Sequence, residues 1–261
     1  MSTTFTLNPS HLSAWKKQFD RVEVTETPGL FLVVKGNKVG IYNSVKNTFL
    51  IPMEYDDIYH SSHANLWFVE KGSKMGIYNG PMATFVVPLE FLNIEETYSS
   101  GLWCVYKNSK WGVYNSRTAN YIVTLGGEVS ITEIEGGLCQ VDGNKCGIYD
   151  IASAAWIVPF KYNFLEKTNF PDLWLVGNAT YVGVYNSTTS DMVVPLKYDD
   201  VKATQDPDLW IVEKDGKWGI YNRSTKAMEA KTIYDEISLS DNPHTFIAIN
   251  GGDEGILAVA V

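Results

Sequence analysis

A glycine that recurs at a near-constant spacing constrains this chain more than any other feature. The seven positions are separated by 36, 36, 35, 36, 36 and 36 residues, and they are Gly40, Gly76, Gly112, Gly147, Gly183, Gly219 and Gly255. The surrounding letters recur as well, as in GNKVGIYN (36–43) and GSKMGIYN (72–79). A fixed period of this length is typical of supersecondary units that bury their apolar faces only against neighbouring units. We therefore predict one repeat array and a single domain, 1–261.

Each repeat is predicted to form four short β-strands. In the repeat at 198–232, segments of four to six residues rich in β-branched and aromatic types alternate with turn residues. Strand A begins at an aromatic-acid pair such as Tyr55-Asp56, strand B contains Leu-Trp and strand C contains Gly-Ile-Tyr-Asn. Strand D is predicted to end at a proline, at Pro52, Pro88, Pro159 and Pro195. Since proline lacks an N–H donor, strand D belongs at a sheet edge.

The two ends of the chain bear on how the sheets are arranged. The last repeat has strand C at 255–261 but no strand D, and the N-terminal segment 4–7 is a spare strand. We expect the spare strand to complete the last sheet, which gives an all-β fold, a closed seven-bladed β-propeller without a long open edge. The alternative is a linear β-repeat array, in which atypical capping repeats are expected at both ends.

Composition and charge argue against several classes of partner. The formal net charge of −9 disfavours nonspecific binding to nucleic acid or to an anionic membrane, because both need a basic face. No stretch is apolar enough for a signal peptide or a membrane span, and the three cysteines suggest reduced, buried thiols. We therefore expect a cytoplasmic protein.

Recurrent Lys-Trp-Gly strings connect the chain to a known family. The chain contains KWGVYN (110–115) and KWGIYN (217–222). VP or IP follows such strings about a dozen residues later, and after it comes YDDI (55–58), YDDV (198–201) or YDEI (234–237). These strings resemble the WG repeat family. The resemblance covers essentially the whole chain, although Trp precedes the glycine only at Trp111 and Trp218. It implies a β-propeller-like bacterial protein used for interaction or binding. The family has no active site to carry over.

Four tryptophans occupy one position of strand B: Trp67, Trp103, Trp174 and Trp210. A ring of tryptophans could form a platform for a glycan. We favour core packing between adjacent repeats, because such a position demands a large apolar side chain in every repeat.

Catalytic and metal-binding signatures are weak in this sequence. Paired acids such as Asp56-Asp57 recur with the repeat instead of converging as one pair, and His60 and His63 lack a third ligand at a metal-like spacing. No nucleophile with an oriented base and no phosphate-binding glycine loop is recognisable. We expect no enzyme activity, no cofactor and no metal.

Charged residues cluster at one end of the predicted sheets. In an A-B-C-D meander, the B–C hairpins and the D–A corners lie on the same side. The binding residues predicted there are Lys35, Lys38, Lys71, Lys74, Lys107, Lys110, Lys214, Lys217, Asp56, Asp57, Asp199 and Asp200. A mixed-charge surface of this kind suits a protein or peptide partner. The competing interpretation is that the lysines only provide solubility and edge protection.

Two classes of function remain open from the sequence. The leading hypothesis is a non-enzymatic binding or scaffold protein that presents a rigid surface to a protein or peptide. The contrasting hypothesis is a small-ligand protein, either a lectin-like glycan binder with repeated pockets or an enzyme with its site in the central funnel.

Overall fold

The computed structural model describes residues 15–99, 101–134 and 136–259. These residues form 27 strands in seven antiparallel sheets, which confirms the predicted all-β fold built from short meanders. The described part of the chain includes no helix long and apolar enough to span a membrane. The spare strand predicted at 4–7 lies outside the described residues, so closure of a ring stays a prediction.

The chain divides into two compact units, Met1–Val129 and Ser130–Val261. The single-domain assignment stays a prediction. In the first unit, a 3-10 turn at Lys16–Gln18 precedes three four-stranded sheets. Sheet 1 contains β1 (Arg21–Val24), β2 (Leu30–Lys35), β3 (Lys38–Asn43) and β4 (Thr48–Tyr55); sheet 2 contains β5 (Asp57–His60), β6 (Leu66–Lys71), β7 (Lys74–Asn79) and β8 (Thr84–Phe91); sheet 3 contains β9 (Asn93–Glu96), β10 (Leu102–Lys107), β11 (Lys110–Asn115) and β12 (Asn120–Val123).

The second unit contains three four-stranded sheets and a final sheet with three strands among the described residues. Sheet 4 contains β13 (Ser130–Ile134), β14 (Leu138–Asp142), β15 (Cys146–Asp150) and β16 (Ala155–Tyr162); sheet 5 contains β17 (Phe164–Lys167), β18 (Leu173–Gly177), β19 (Val182–Asn186) and β20 (Asp191–Tyr198); sheet 6 contains β21 (Asp200–Ala203), β22 (Leu209–Lys214), β23 (Lys217–Asn222) and β24 (Ala227–Tyr234); sheet 7 contains β25 (Glu236–Leu239), β26 (Thr245–Asn250) and β27 (Asp253–Ala258). The four strands of a sheet are A, B, C and D in chain order.

The core lies between neighbouring sheets within each unit. Trp67 and Val69 of sheet 2 pack with Ile41 and Ile51 of sheet 1, and the following pairs of sheets repeat this arrangement. Trp67, Trp103, Trp174 and Trp210 are at most 2% exposed. The prediction that the tryptophans are core residues is confirmed, and a glycan platform made of their rings is excluded by their burial.

Two aromatic residues cover the outer face of sheet 1. The ring of Trp15 stacks on Tyr42 at 4.8 Å between centroids and lies 5.1 Å from Phe31, which holds the strand B position of the core tryptophans. Phe19 packs edge-on against Phe49 at 6.1 Å. Trp15 and Phe19 therefore shield a face that a preceding sheet covers in sheets 2, 3, 5, 6 and 7.

Strand D is longer than the sequence predicted. β4 continues past Pro52 to Tyr55, so the proline does not end strand D and the tyrosine does not begin strand A. Ile41 pairs with Ile51 and Val39 with Tyr55, so that strand D forms a bulge opposite strand C. A bulge leaves residues without ladder hydrogen bonds, which is why proline is tolerated inside this strand.

The bulged strand D explains the repeated glycine. A Cβ atom on Gly40 would lie 2.9 Å from Met53 Cα, and one on Gly219 would lie 2.6 Å from Ala230 O. The same close crossing occurs over Gly76, Gly112, Gly147 and Gly183. By contrast, a Cβ atom on Gly255, in sheet 7 with its three described strands, would have no described residue within 4 Å. The glycine is thus required where strand D crosses strand C.

We predict that Gly147→Ala destabilises the protein by about 1–3 kcal/mol, because the added methyl group overpacks against strand D. Gly127→Ala is the control, since its methyl group meets open space at an exposed position, and it should change stability by less than about 0.5 kcal/mol. Thermal and urea unfolding of both variants measure the difference. Equal effects of the two substitutions would contradict this account of the glycine.

Candidate binding surface at the hairpin ends

The B–C hairpins and the D–A corners lie at the same end of the sheets, as predicted. The hairpin of sheet 2 donates its Gly72 N–H to Asp56 Oδ2 at the preceding corner, over 2.6 Å. In sheet 6, Asp215 N–H donates to Asp199 Oδ2 over the same distance. We call this side of a sheet its hairpin end. Asp215 adopts a φ of 52°, which is usual for a tight two-residue hairpin.

Corner acids also bind lysines, in most cases from the neighbouring sheet. Lys38 Nζ of sheet 1 lies 2.6 Å from Asp56 Oδ1, and Lys217 of sheet 6 pairs with Asp235 at the corner before sheet 7. Lys214 differs, because it pairs with Asp199 at the corner of its own sheet, at 3.1 Å. The structure therefore brings these predicted residues together, but they are engaged with one another.

The same contacts hold the corner carboxylates in their charged form. The hydrogen bond from Lys38 and then that from Gly72 lower the pKa of Asp56. The backbone N–H of Asp215 and then Lys214 lower the pKa of Asp199. Asp235 also has a lowered pKa, first because of its hydrogen bond from Lys217. None of these three acids is arranged as a proton donor for catalysis.

The second acid of each pair has a separate, local role. Asp57 Oδ1 accepts the N–H of Ile58, and Asp200 Oδ1 accepts the N–H of Val201, both over 2.8 Å. These residues begin strand A, where the carboxylate satisfies the first backbone donor. The adjacent acids are thus divided between two structural tasks.

Two further lysines bind acids that the sequence analysis missed. Lys71 Nζ lies 3.6 Å from Glu54 Oε2, and Lys107 Nζ lies 3.0 Å from Glu90 Oε2. Both glutamates lie on strand D of the preceding sheet. The shared spacing of 17 residues between acid and lysine is the signal that could have identified them.

Three predicted lysines have no acidic partner within the described residues: Lys35, Lys74 and Lys110. All three are exposed, and they belong to the hairpins of sheets 1, 2 and 3. Lys74 lacks an acidic partner because the corner before sheet 3 has Leu92 at the position equivalent to Asp56 before sheet 2. Lys35 belongs to the first sheet, which has no strand D before it in the described chain. After sheet 3, a segment beginning at Leu125-Gly126 replaces the aromatic-acid corner beyond Lys110.

Open grooves lie beside some of these residues. In the first unit, a groove of about 270 Å³ is bordered by Glu70, Lys74, Met75 and Leu92. In the second unit, one of about 400 Å³ is lined by Tyr181, Lys197, Tyr198, Lys214, Met228 and Thr232. Lys214 Nζ lies 4.4 Å from the centroid of the Tyr181 ring. Tyr181 breaks the repeat, since the other strand C sequences have lysine two residues before glycine at most equivalent positions.

Histidines and thiols make structural contacts. His63 Nε2 lies 3.1 Å from Thr97 O, and the ring of His60 packs edge-on against Trp67. Burial raises the pKa of Cys104 and of Cys146 to about 11, so both thiols stay protonated at neutral pH. Across the described ranges, no group of three or more His, Cys, Asp or Glu side chains could hold a metal ion.

We predict that the triple variant Asp56→Asn, Asp199→Asn and Asp235→Asn melts below the parent at neutral pH. A carboxyl group with a lowered pKa stabilises the fold above its ordinary value of 3.8 and loses that effect as the pH falls through the folded value. The difference in melting temperature should therefore shrink below pH 3.8. Scanning calorimetry across this range measures it. A difference that is constant with pH would show that the charge has no role, and Asp191→Asn at an exposed position controls for the substitution at neutral pH.

Comparisons with known proteins bear on the family. The model of the WG containing repeat matches residues 40–74 and 183–218, and no curated protein matches the chain. Among solved structures, Hsv2p of Kluyveromyces lactis has 11% identity over 78% of this chain and 74% of its own, with a TM-score of 0.32. A chain of the mitotic checkpoint complex has 13% identity over 99% and 97%, with a TM-score of 0.29. The segments 40–74 and 183–218 are therefore WG-containing repeats, and this confirms the family that the Lys-Trp-Gly strings predicted.

Proposed function

We propose that this protein is a non-enzymatic binding or scaffold protein that docks a protein or peptide partner at its hairpin ends. The observation that carries the proposal is the set of three exposed lysines without acidic partners, Lys35, Lys74 and Lys110, at one end of the first unit. Charged side chains at other corners already neutralise one another, as Lys38 and Asp56 do. Among the hairpin lysines predicted as binding residues, these three remain available to a partner.

The chemistry of the first unit favours an acidic partner segment with some apolar character. Carboxylates on the partner would pair with the exposed ammonium groups, which favours the rate and orientation of docking more than raw affinity. Leu92 is 51% exposed beside Lys74, and it offers apolar contact surface next to the charge. A segment that alternates acids with aliphatic residues matches both features.

The contrasting hypotheses have less support among the described residues. A lectin-like site made of the strand B tryptophans conflicts with their burial. An enzyme needs groups poised for reaction, whereas the corner acids are occupied by hydrogen bonds, and Cys104 and Cys146 have raised pKa values. Since Cys104 and Cys146 are buried free thiols, we also propose that the protein acts in the reducing cytoplasm.

The test is the triple charge reversal Lys35→Glu, Lys74→Glu and Lys110→Glu. Immobilised parent and variant are exposed to extracts of the native host, and the retained proteins are compared at low and high salt. We expect the variant to lose the proteins that bind the parent in a salt-sensitive way, because pairs between exposed charges are screened by salt.

The matched control reverses Lys46, Lys167 and Lys226, which are exposed at the opposite ends of their sheets and give the same change in net charge. The control should retain the partner, and circular dichroism should show an intact fold for both variants. Undiminished retention by the hairpin-end variant would overturn the proposed site. Loss of the retained proteins with both variants would show that the effect depends only on net charge.

A further inference from the structure

Two lysines in the second unit occupy the positions that form an ion pair in the first unit. Strand D of sheet 1 presents Glu54, whose Oε2 lies 3.6 Å from Lys71 Nζ of sheet 2. The next pair of sheets repeats this contact at 3.0 Å. In sheets 5 and 6 the same positions, again 17 residues apart, are Lys197 and Lys214. An ammonium group therefore replaces the carboxylate of the repeat.

The side chain of Lys214 contacts other groups in this setting. Its Nζ pairs with Asp199 at 3.1 Å and lies 4.4 Å from the centroid of the Tyr181 ring. The Nζ of Lys197 lies 5.2 Å from the centroid of the Tyr198 ring. Repulsion between the two ammonium groups explains why Lys214 pairs with the corner of its own sheet and not with strand D of the preceding sheet.

One positive charge at this place lacks a counter-ion. Lys197 is exposed, and no acid among the described residues pairs with it. Asp199 neutralises Lys214, whereas Asp215, at 4.0 Å from Lys214, is 87% exposed and contributes little. Residues 1–14 contain no aspartate or glutamate, so that segment has no carboxylate to offer Lys197. A single anionic group on a ligand would balance the charge.

The groove beside these lysines has an apolar and aromatic lining. Its volume of about 400 Å³ lies in the usual range of small-molecule sites, roughly 300–1,000 Å³. Tyr198 is 3% exposed and donates its Oη to Met228 Sδ over 3.4 Å. Burial raises the pKa of Tyr198 to about 12, so the phenol adds no negative charge to the groove at neutral pH. Aromatic rings and a thioether sulfur are favourable neighbours for the ring of a ligand.

Two further lining residues break the repeat. Tyr181 occupies the position that is lysine at Lys38, Lys74, Lys110, Lys145 and Lys217. Thr232 occupies a strand D position that is apolar at Met53, Leu89, Phe160 and Leu196. Tyr181 offers a ring face, and the Thr232 hydroxyl is a hydrogen-bond donor for an anion. These departures from the repeat, together with Lys197, line one and the same groove.

We propose that this groove binds a small aromatic carboxylate. The ligand's carboxylate pairs with Lys197 and Lys214, in the place that a strand D glutamate has in the first unit, and its ring packs against Tyr181 and Met228. A monoanion is favoured over a phosphate because only one positive charge lacks a counter-ion. None of the three unpaired hairpin lysines of the first unit lines this groove, so the site is separate from the proposed partner-binding residues.

The first test measures binding of 2-naphthoate to the full chain by isothermal titration calorimetry. The amide 2-naphthamide is the matched ligand without charge, and cyclohexanecarboxylate is the ligand without an aromatic ring. We expect 2-naphthoate to bind with a Kd of about 1 mM or tighter and both control ligands to bind at least about tenfold more weakly. Absence of 2-naphthoate binding, or equal binding of either control ligand, would overturn the proposal. This comparison needs no variant of the protein.

The second test uses variants whose fold is checked by circular dichroism and thermal melting. Lys197→Glu gives sheet 5 the acid that strand D has in the first unit, so we expect an intact fold and at least about tenfold weaker binding of 2-naphthoate. Tyr181→Ala removes a ring face and should weaken binding about threefold to tenfold. The matched control is Lys161→Glu, at the equivalent exposed position of sheet 4, where the residue 17 positions later is Asn178 instead of a lysine. It should bind like the parent.

Three results would contradict the site or its ligand. Unchanged binding by Lys197→Glu would overturn the proposal, as would an equal loss of binding by Lys161→Glu. A pentapeptide that ends in tryptophan with a free carboxylate offers the same chemistry from a protein. If this peptide binds more than about tenfold tighter than 2-naphthoate, the groove takes the chain end of a partner protein and the small-ligand proposal is wrong.

Discussion

The close crossing of strand D over the repeat glycine is the contact on which the regularity of the sheets depends. Only a hydrogen atom fits between the two backbones where a Cβ would lie less than 3 Å from strand D. The bulge that produces this crossing lets Ile51 reach the buried residue beside the glycine and carries the chain on to the corner at Asp56. One steric constraint thus places the edge strand, the core residue and the corner acid together.

The packing between sheets and the ion pairs at their hairpin ends connect the same neighbouring sheets. Trp67 joins the core of sheets 1 and 2, and Lys38 reaches from sheet 1 to Asp56 at the start of sheet 2. Exposed ion pairs contribute little to stability, whereas burial of a large aromatic residue contributes several kcal/mol by the usual scale of about 3–5 kcal/mol for its truncation. The core therefore sets the spacing of neighbouring sheets, and the ion pairs form at the spacing that the core imposes.

Much of this architecture was predictable from the sequence, because its causes are local or periodic. The spacing of the glycines indicated the repeat, and the positions of Trp67 and its equivalents indicated the core. The extension of strand D beyond Pro52 was not predictable in the same way, because proline occurs both at sheet edges and inside strands at bulges. Which lysines are free depends on contacts between sheets: Glu54 neutralises Lys71, while Leu92 leaves Lys74 without an acid. The sequence pattern treats all hairpin lysines alike, so it could not distinguish the paired lysines from the unpaired ones.

The aromatic cover on sheet 1 gives the array a direction. Trp15 and Phe19 occupy the outer face of the first sheet, so an additional repeat inserted before it would have to displace both rings. Within either unit, a repeat inserted between two neighbouring sheets would meet the same kind of surface that these sheets already present to each other. Gain or loss of repeats by gene duplication is therefore expected to be tolerated between the packed sheets of a unit and to be opposed before the first sheet. In related chains of different length, the aromatic cover should stay with the first repeat while the number of repeats behind it varies.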